Sequence, residues 1–183
     1  MPRQVHLFDS PSRFVAGTVG QPGDRTFYLQ AADAAGRVIS VALEKSQVQV
    51  LADRMSELLD EVAERPGTVV PTEAGIDDLD PLSAPVDEEF RVAAMGLAWD
   101  AQASAVVVEA VAAGEEPIDE DAILSDSDEG PDALRVTLSP GTARAFVTRA
   151  RRVIAAGRPA CPLCSMPLDP TGHVCPRQNG YRR

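Results

Sequence analysis

The residues best suited to chemistry in this chain lie in one short stretch near its C-terminus. All three cysteines and one of the two histidines fall there, as Cys161-Pro-Leu-Cys164 followed by His173-Val-Cys175. Three thiolates and one imidazole form a ligand set for tetrahedral zinc. The alternative is that these are ordinary loop cysteines. Because every cysteine of the chain lies in one window, the sequence favours metal ligands.

Four protein ligands predict a structural zinc ion rather than a catalytic one, because a catalytic zinc keeps one coordination position open. The tail from 159 to 183 is also too short to build its own apolar core, so metal bonds would be needed to order it. The spacing from His173 to Cys175 is one residue shorter than the usual pair spacing, which makes the match less specific.

Arginines form the second group of interest. From Arg144 to the C-terminus there are eight arginines and one acidic residue. Such a surface predicts binding of an anion, a nucleic acid or an acidic protein partner. Two other interpretations stay open: a solvated helix face, and pairing with acidic residues in the chain or in a neighbour. The predicted binding residues are Arg144, Arg149, Arg151, Arg152, Arg177 and Tyr181, with the tyrosine able to stack on a base.

The rest of the chain is acidic, and the overall net charge is −11. This balance argues against avid nonspecific binding to nucleic acids. Nine of the acidic residues lie between Glu115 and Asp132. We expect this acidic insertion to be a disordered loop, with a divalent-cation site or a partner-binding motif as alternatives.

The sequence predicts an internal repeat. Copy one spans 13–64 and copy two spans 91–157, with a linker over 65–87. The two copies align with an offset of 78–79 residues through the first two strands and of 95 afterwards. The change of offset comes from the acidic insertion, 114–132, which precedes the last strand of copy two.

Each copy has the pattern strand–strand–strand–helix, and one further strand precedes copy one. The predicted helix starts are Ser46 in copy one and Ser139-Pro140 in copy two. We predict an α+β domain over 1–158, built from two pseudo-symmetric repeats with antiparallel sheet. One helix covers only half of one face of a three-stranded sheet. The two copies would therefore pack the uncovered parts of their sheet faces against each other about a pseudo-twofold axis. They would form two sheets or one continuous sheet. Gly17, Gly20 and Gly23 indicate hairpin turns rather than a phosphate-binding loop, because no helix follows them.

The composition is that of a soluble globular protein, with 44% hydrophobic and 25% charged residues. No apolar run is long enough for a membrane span and no signal peptide is present, so we expect a cytoplasmic protein. No pairing of a nucleophile with a base is visible, and His6 is assigned to packing or the surface. An enzyme acting on a phosphorylated or nucleotide substrate is the alternative function. Its pocket would lie between the copies and be lined by the matched Arg13 and Arg91.

The stretches Met1–Gly17 and Cys161–Tyr181 resemble the two ends of an uncharacterised actinobacterial repeat-protein family, a domain of unknown function of the DUF3090 type. The resemblance covers essentially the whole chain and implies no particular activity. It implies a phosphate-linked pathway and protein partners, because members resemble part of a trio with a kinase-like and a histidine-phosphatase-like protein. The expected function is therefore a zinc-stabilised binding or scaffold module, and homo-oligomerisation is an open question.

Overall fold

The fold is one mixed sheet packed against a pair of long helices. The computed structural model describes residues 3–72, 77–114, 118, 123–125, 127, 129–157, 160–166, 168 and 173–177. The strands are β1 (Val5–Asp9), β2 (Arg13–Gln21), β3 (Asp24–Ala32), β4 (Val38–Leu43), β5 (Glu88–Asp100), β6 (Ala105–Ala112) and β7 (Ala133–Leu138). The helices are α1 (Lys45–Ala63) and α2 (Pro140–Ala155). Among the described residues, no helix is long and apolar enough to cross a membrane.

The seven strands form a single continuous sheet in the order β1-β7-β6-β5-β4-β3-β2. The α+β class is therefore confirmed, but the prediction of an antiparallel sheet is wrong for two pairs, because β1 runs parallel to β7 and β4 runs parallel to β5. Parallel neighbours need a long connection, and helix α1 with the linker supplies one between β4 and β5. The remaining pairs are antiparallel and follow tight connections or the acidic insertion.

One hydrophobic core lies between the sheet and the helices. Alternate residues of each strand point into it, for example Phe27, Leu29 and Ala31 of β3. Both helices place apolar residues three or four positions apart on their buried faces. Phe14 of β2 stacks on Phe146 of α2 with ring centroids 4.8 Å apart, so the last helix is fastened to the first long strand.

Helix α2 begins as the sequence predicts, whereas α1 begins differently. The Ser139 hydroxyl accepts a hydrogen bond from the Thr142 N–H at 3.1 Å, and Pro140 is the first helical residue. For α1 the capping residue is Glu44 rather than the predicted Ser46, and it forms a capping box with Gln47.

The two halves of the chain share the element order and part of the strand register. Phe27 pairs with Leu43 in the first half as Val106 pairs with Leu138 in the second, and the next five pairs keep the same offsets of 79 and 95. The first strands do not match in this way. A bulge lies between Val92 and Ala94, and Ala94 rather than Arg91 occupies the position equivalent to Arg13. The predicted equivalence of Arg13 and Arg91 is therefore absent.

The linker and the acidic insertion each lie over a glycine of the sheet. A Cβ atom added to Gly17 would lie 2.6 Å from the side chain of Leu82 in the linker. A Cβ atom added to Gly96 would lie 2.5 Å from Ile123 in the insertion. Ile123, in the described part of the insertion, thus packs on the sheet. Most acidic residues of this segment lie outside the described residues, so the expectation of a disordered loop stays a prediction.

The hairpin between β2 and β3 provides a stability test. Pro22 and Gly23 form its two-residue turn, and Gly23 has φ +98°, as a type II turn requires. Gly20 has φ +103°, and a Cβ atom there would collide with the backbone oxygen of Asp24. We expect Gly20→Ala to lower the free energy of unfolding by about 1–3 kcal/mol more than Gly36→Ala does, as measured by urea denaturation.

Gly36 is the matched control because it also has a positive φ, +89°, but nothing lies within 4 Å of its added Cβ atom. Equal losses in the two variants would show that only backbone strain matters at Gly20 and that the close approach of Asp24 does not.

Candidate functional site

The four predicted metal ligands converge in the structure. The ligand atoms of Cys161, Cys164, His173 and Cys175 all lie within 4.8 Å of one another. The Sγ atoms of Cys161 and Cys175 are 3.9 Å apart, and Cys164 Sγ is 3.1 Å from His173 Nε2. Two sulfur atoms bound to one tetrahedral zinc ion are separated by about 3.8 Å, given a bond length of about 2.3 Å. The cluster therefore has the donor set and the dimensions of a metal site.

A tight turn presents the first two thiols. The Cys161 N–H donates to the Met166 oxygen at 2.7 Å, and the Ser165 N–H donates to the Cys161 oxygen at 2.8 Å. Ser165 closes the turn with φ +61°, in the left-handed region. Cys161 and Cys175 are buried, so these two thiols are shielded from solvent.

The same turn favours the metal-binding form of one thiol. Backbone N–H groups of Cys164 and then Leu163 point at the Cys161 sulfur and lower its pKa to about 6. The thiolate is the form that binds metals, so Cys161 is prepared to act as a ligand near neutral pH. The Met166 N–H acts to lower the pKa of Cys164, but desolvation and the neighbouring thiols outweigh it, and the net direction is upward.

Arg149, one of the predicted anion-binding residues, is buried and fastens the linker to the domain. Its Nε donates to the Ala16 oxygen at 2.9 Å, and one terminal nitrogen lies 2.7 Å from the Asp78 carboxylate. Its other terminal nitrogen donates to the Asp80 oxygen at 2.7 Å. Arg13 binds the same Asp78 carboxylate through two hydrogen bonds of 2.6 and 3.0 Å. The linker carboxylate is thus held between arginines from β2 and α2.

The other predicted arginines of α2 also pair within the chain. Their acidic partners belong to α1 and the linker rather than to the acidic insertion. The pairs are Arg144 with Asp60 at 2.9 Å, Arg151 with Asp53 at 3.3 Å, and Arg152 with Asp77 at 2.7 Å. Arg177 is exposed and has no acidic partner within the described ranges, and Tyr181 lies outside the described residues. Binding of an anion or partner by this surface stays a prediction.

The pairing of Asp78 predicts a pH dependence. The hydrogen bonds from Arg13, followed by the charges of Arg13 and Arg149, hold the pKa of Asp78 below its usual value of 3.8. The stabilisation is therefore complete above pH 4 and is lost as the pH falls through the lowered pKa. We expect Asp78→Asn to be less stable than the wild type by about 1–2 kcal/mol at pH 7, with a difference that shrinks below pH 4.

Urea denaturation at several pH values measures this difference. Asp53→Asn is the control, since its pair with Arg151 is half exposed and is expected to contribute at most about 0.5 kcal/mol. A constant difference between the wild type and Asp78→Asn from pH 7 to pH 3 would contradict the proposed ionic role.

Glu109 is a buried charged residue that the sequence analysis did not single out. Its side chain is fully buried on β6, with one oxygen 2.6 Å from Arg3 and the other 2.5 Å from Arg135. Arg3 also donates to the oxygens of Ser127 and Pro131, which connects the acidic insertion to this centre. Arg135 donates to the Ser125 oxygen as well.

The sequence contains one indication of the Glu109 cluster, which is a polar residue at the same strand position in both copies of the predicted repeat. Gln30 occupies the position of Glu109 in the first half and is also buried. It hydrogen-bonds Ser40 on the neighbouring strand and the backbone of Ser83 in the linker. A polar residue at the middle of an otherwise apolar strand indicates a buried hydrogen-bonded centre. In each half, the hydrogen bonds of the buried polar cluster connect the strand to the segment that covers it.

A cleft lies between the halves beside each helix. The cleft between α2 and β2 has a volume of about 570 Å³ and is lined by apolar residues together with polar ones that include Arg13, Thr142 and Arg149. The cleft between α1 and β5 has a volume of about 340 Å³ and is lined mainly by apolar groups, with Gln47 and Arg54 at the positions equivalent to Thr142 and Arg149. The pocket predicted between the copies thus includes Arg13, but Arg91 lines neither cleft.

Comparison with known proteins supplies the family but no function. No curated protein and no solved structure matches the chain. A family model described as "Protein of unknown function (DUF3090)" matches residues 6–175. The match begins in β1 and ends at the last predicted metal ligand, Cys175, so it spans both the sheet and the cysteine cluster. The chain therefore belongs to the DUF3090 family of proteins of unknown function.

Proposed function

We propose that this chain is a binding module whose C-terminal segment is ordered by one structural zinc ion. The single observation that carries the proposal is the convergence of Cys161, Cys164, His173 and Cys175, whose ligand atoms lie within 4.8 Å of one another. Three thiols and one imidazole match zinc better than magnesium or calcium, which prefer oxygen ligands. The module would engage an anionic ligand, a nucleic acid or an acidic protein partner.

A structural role for the zinc follows from the number and environment of its ligands. Four protein ligands complete a tetrahedral sphere and leave no position for a reacting water molecule. Zinc would supply the bond energy that a segment of this length cannot obtain from apolar packing. A reducing cytoplasmic environment fits this proposal, because it keeps clustered cysteines available for metal.

The proposal includes a duplicated architecture. What supports it is the shared register of the second and third strands in both halves. The clefts add a second correspondence, because five residues of α1 and five of α2 line them at one constant offset of 95. Each helix also lies against the first strand of the other half, as a pseudo-twofold relation between the halves would require.

The second candidate function is an enzyme acting on a phosphorylated or nucleotide substrate. The observation in its favour is the cleft of about 570 Å³ between α2 and β2, which is large enough for a small metabolite and contains Arg13 and Arg149. The Asp78 carboxylate already occupies the donors of Arg13 and Arg149 that face each other there. A substrate phosphate would have to compete with this carboxylate, and for that reason we favour the binding module.

Native mass spectrometry of the full-length protein, purified gently from its own host, tests the proposal. We expect one zinc ion per chain together with a co-purifying anion, nucleic acid or protein. Kinase-like and phosphatase-like proteins are the partners to look for first, and a second copy of the chain would also be seen. A metal-free chain would contradict the zinc proposal, and a small phosphorylated molecule with measurable turnover would favour the enzyme.

A further inference from the structure

Two cationic side chains converge at the end of α2. Lys45 Nζ lies 3.6 Å from the position that a Cβ atom of Gly157 would occupy, and a terminal nitrogen of Arg25 lies 4.0 Å from the same point. Neither Lys45 nor Arg25 has an acidic partner in the described part of the chain. Two like charges brought together without a counter-charge repel each other, and a bound anion would remove that repulsion.

These two cations differ from the arginines of α2. Arg144, Arg149, Arg151 and Arg152 each reach a carboxylate of α1 or the linker. Lys45 is also the only lysine of the chain, against 16 arginines. Its ammonium group is a compact point charge that suits phosphate, whereas arginine supplies a planar fork.

Arg25 is held in a fixed orientation and keeps N–H donors that can bind a ligand. Its guanidinium donates to the Ala156 oxygen at 3.1 Å and to the Val153 oxygen at 3.3 Å. The Phe27 ring lies below it, with the guanidinium carbon 4.9 Å from the ring centroid. Two of its five N–H groups are used in this way, so three stay available for a ligand.

A cavity of about 540 Å³ opens beside these cations, lined by Arg25, Phe27, Lys45, Ile154 and Gly157 among others. This volume lies in the range of small-molecule sites and exceeds what a lone phosphate ion fills. Lys45 is also the first residue of α1, and the capping residue before it is Glu44, whose carboxylate already occupies the N-terminus of this helix. The positive charge beside the cavity therefore comes from the side chains of Lys45 and Arg25 rather than from the helix dipole.

We infer that this cavity binds a small molecule through a phosphate monoester, with Lys45 and Arg25 as the phosphate ligands. The inference deepens the anion-binding part of the proposed function and rests on it. In the other half the positions equivalent to Arg25 and Lys45 are Ser104 and Pro140, which carry no charge. The second half therefore folds in the same way without cations at these two positions. The fold does not require the Arg25 and Lys45 pair, which is specific to the first half.

A competing explanation is that both cations only stabilise the carboxyl end of α2. Arg25 does donate to carbonyl oxygens there. Helix capping predicts a loss of stability when either residue is replaced, but no saturable effect of phosphate. The monoester site predicts that a phosphate monoester shields Lys45 and that the shielding saturates.

Amine acetylation of the zinc-loaded full-length protein separates these explanations. Lys45 and the N-terminal amine are the only primary amines, so mass spectrometry follows Lys45 with the N-terminus as an internal reference. We expect glucose 6-phosphate to slow acetylation of Lys45 at least about 10-fold at saturation, with sulfate at equal ionic strength having little effect. In direct titration, Lys45→Ala and Arg25→Ala should each weaken binding at least about 10-fold, and Arg54→Ala should leave it unchanged.

Arg54 is the control because it lies on the same helix, is exposed and pairs with the equally exposed Glu57. Unaltered acetylation of Lys45 at saturating glucose 6-phosphate would overturn the inference. Equally strong binding of glucose 6-phosphate to the wild type and to Lys45→Ala would also overturn it. In that case the anion would bind at another surface, and the proposed anion-binding function would still hold. Zinc measured in the same samples shows independently whether the metal proposal holds.

Discussion

We expect Cys161→Ser to reduce bound zinc from one ion per chain to almost none. Serine is a poor zinc ligand at neutral pH, and Cys161 is the thiol whose pKa is lowered to about 6 by backbone N–H groups. Structural zinc contributes about 10–16 kcal/mol of binding free energy in small zinc domains, so loss of one ligand removes a large part of it. Elemental analysis of dialysed protein measures the change.

Ser165→Gly is the matched control for this substitution. It alters the same turn, but φ +61° at this position suits glycine, so the zinc content should stay at one per chain. Limited proteolysis adds a second readout, because a chelator should expose the C-terminal segment to cleavage and leave the sheet and helices intact. Equal metal content in the wild type and Cys161→Ser would show that the cluster is not a zinc site.

The second large effect is expected for Glu109→Gln. This change removes the negative charge that Arg3 and Arg135 both contact, at a site where the Glu109 side chain is fully buried. Removing one partner of a buried charge cluster costs about 3–5 kcal/mol, which is a large part of the stability of an ordinary domain. Urea denaturation followed by circular dichroism measures the loss.

The exposed pair of Arg54 with Glu57 supplies the control. Glu57→Gln removes an ion pair of 3.0 Å in which both side chains are mostly exposed, and its effect should stay within about 0.5 kcal/mol. The loss in Glu109→Gln should also speed proteolysis within the acidic insertion, because Arg3 binds the Ser127 oxygen there. A change below about 1 kcal/mol would contradict a central role for this cluster.

The positions of the elements and the four candidate metal ligands could be predicted from local patterns. Alternation of apolar residues along β3 and β6, and apolar spacings of three and four along α1 and α2, depend only on neighbouring residues. Ser139-Pro140 predicted the start of α2 for the same reason. The clustering of Cys161, Cys164, His173 and Cys175 was likewise visible, because four ligands within 15 residues cannot lie far apart.

The acidic partners of the α2 arginines could not be predicted from local sequence patterns. Arg144 and Arg151 meet Asp60 and Asp53 only because α1 and α2 pack side by side, and their separation in sequence carries no information about that contact. The same limit applies to the acidic insertion. No local pattern in it predicts that Ile123 packs over Gly96, because that contact exists only once the sheet has formed.

The α+β class, the two strand–strand–strand–helix units and the four candidate ligands can be predicted from the sequence, since each depends on residues close together in the chain. The folded structure was needed to show that all strands join one mixed sheet, because strand direction depends on how a long connection returns. It also decided which charges are neutralised. The arginines of α2 contact carboxylates from distant segments, whereas Arg25 and Lys45 lie beside Gly157 with no carboxylate partner among the described residues. Only folding sets the distance between charges that are far apart in the chain.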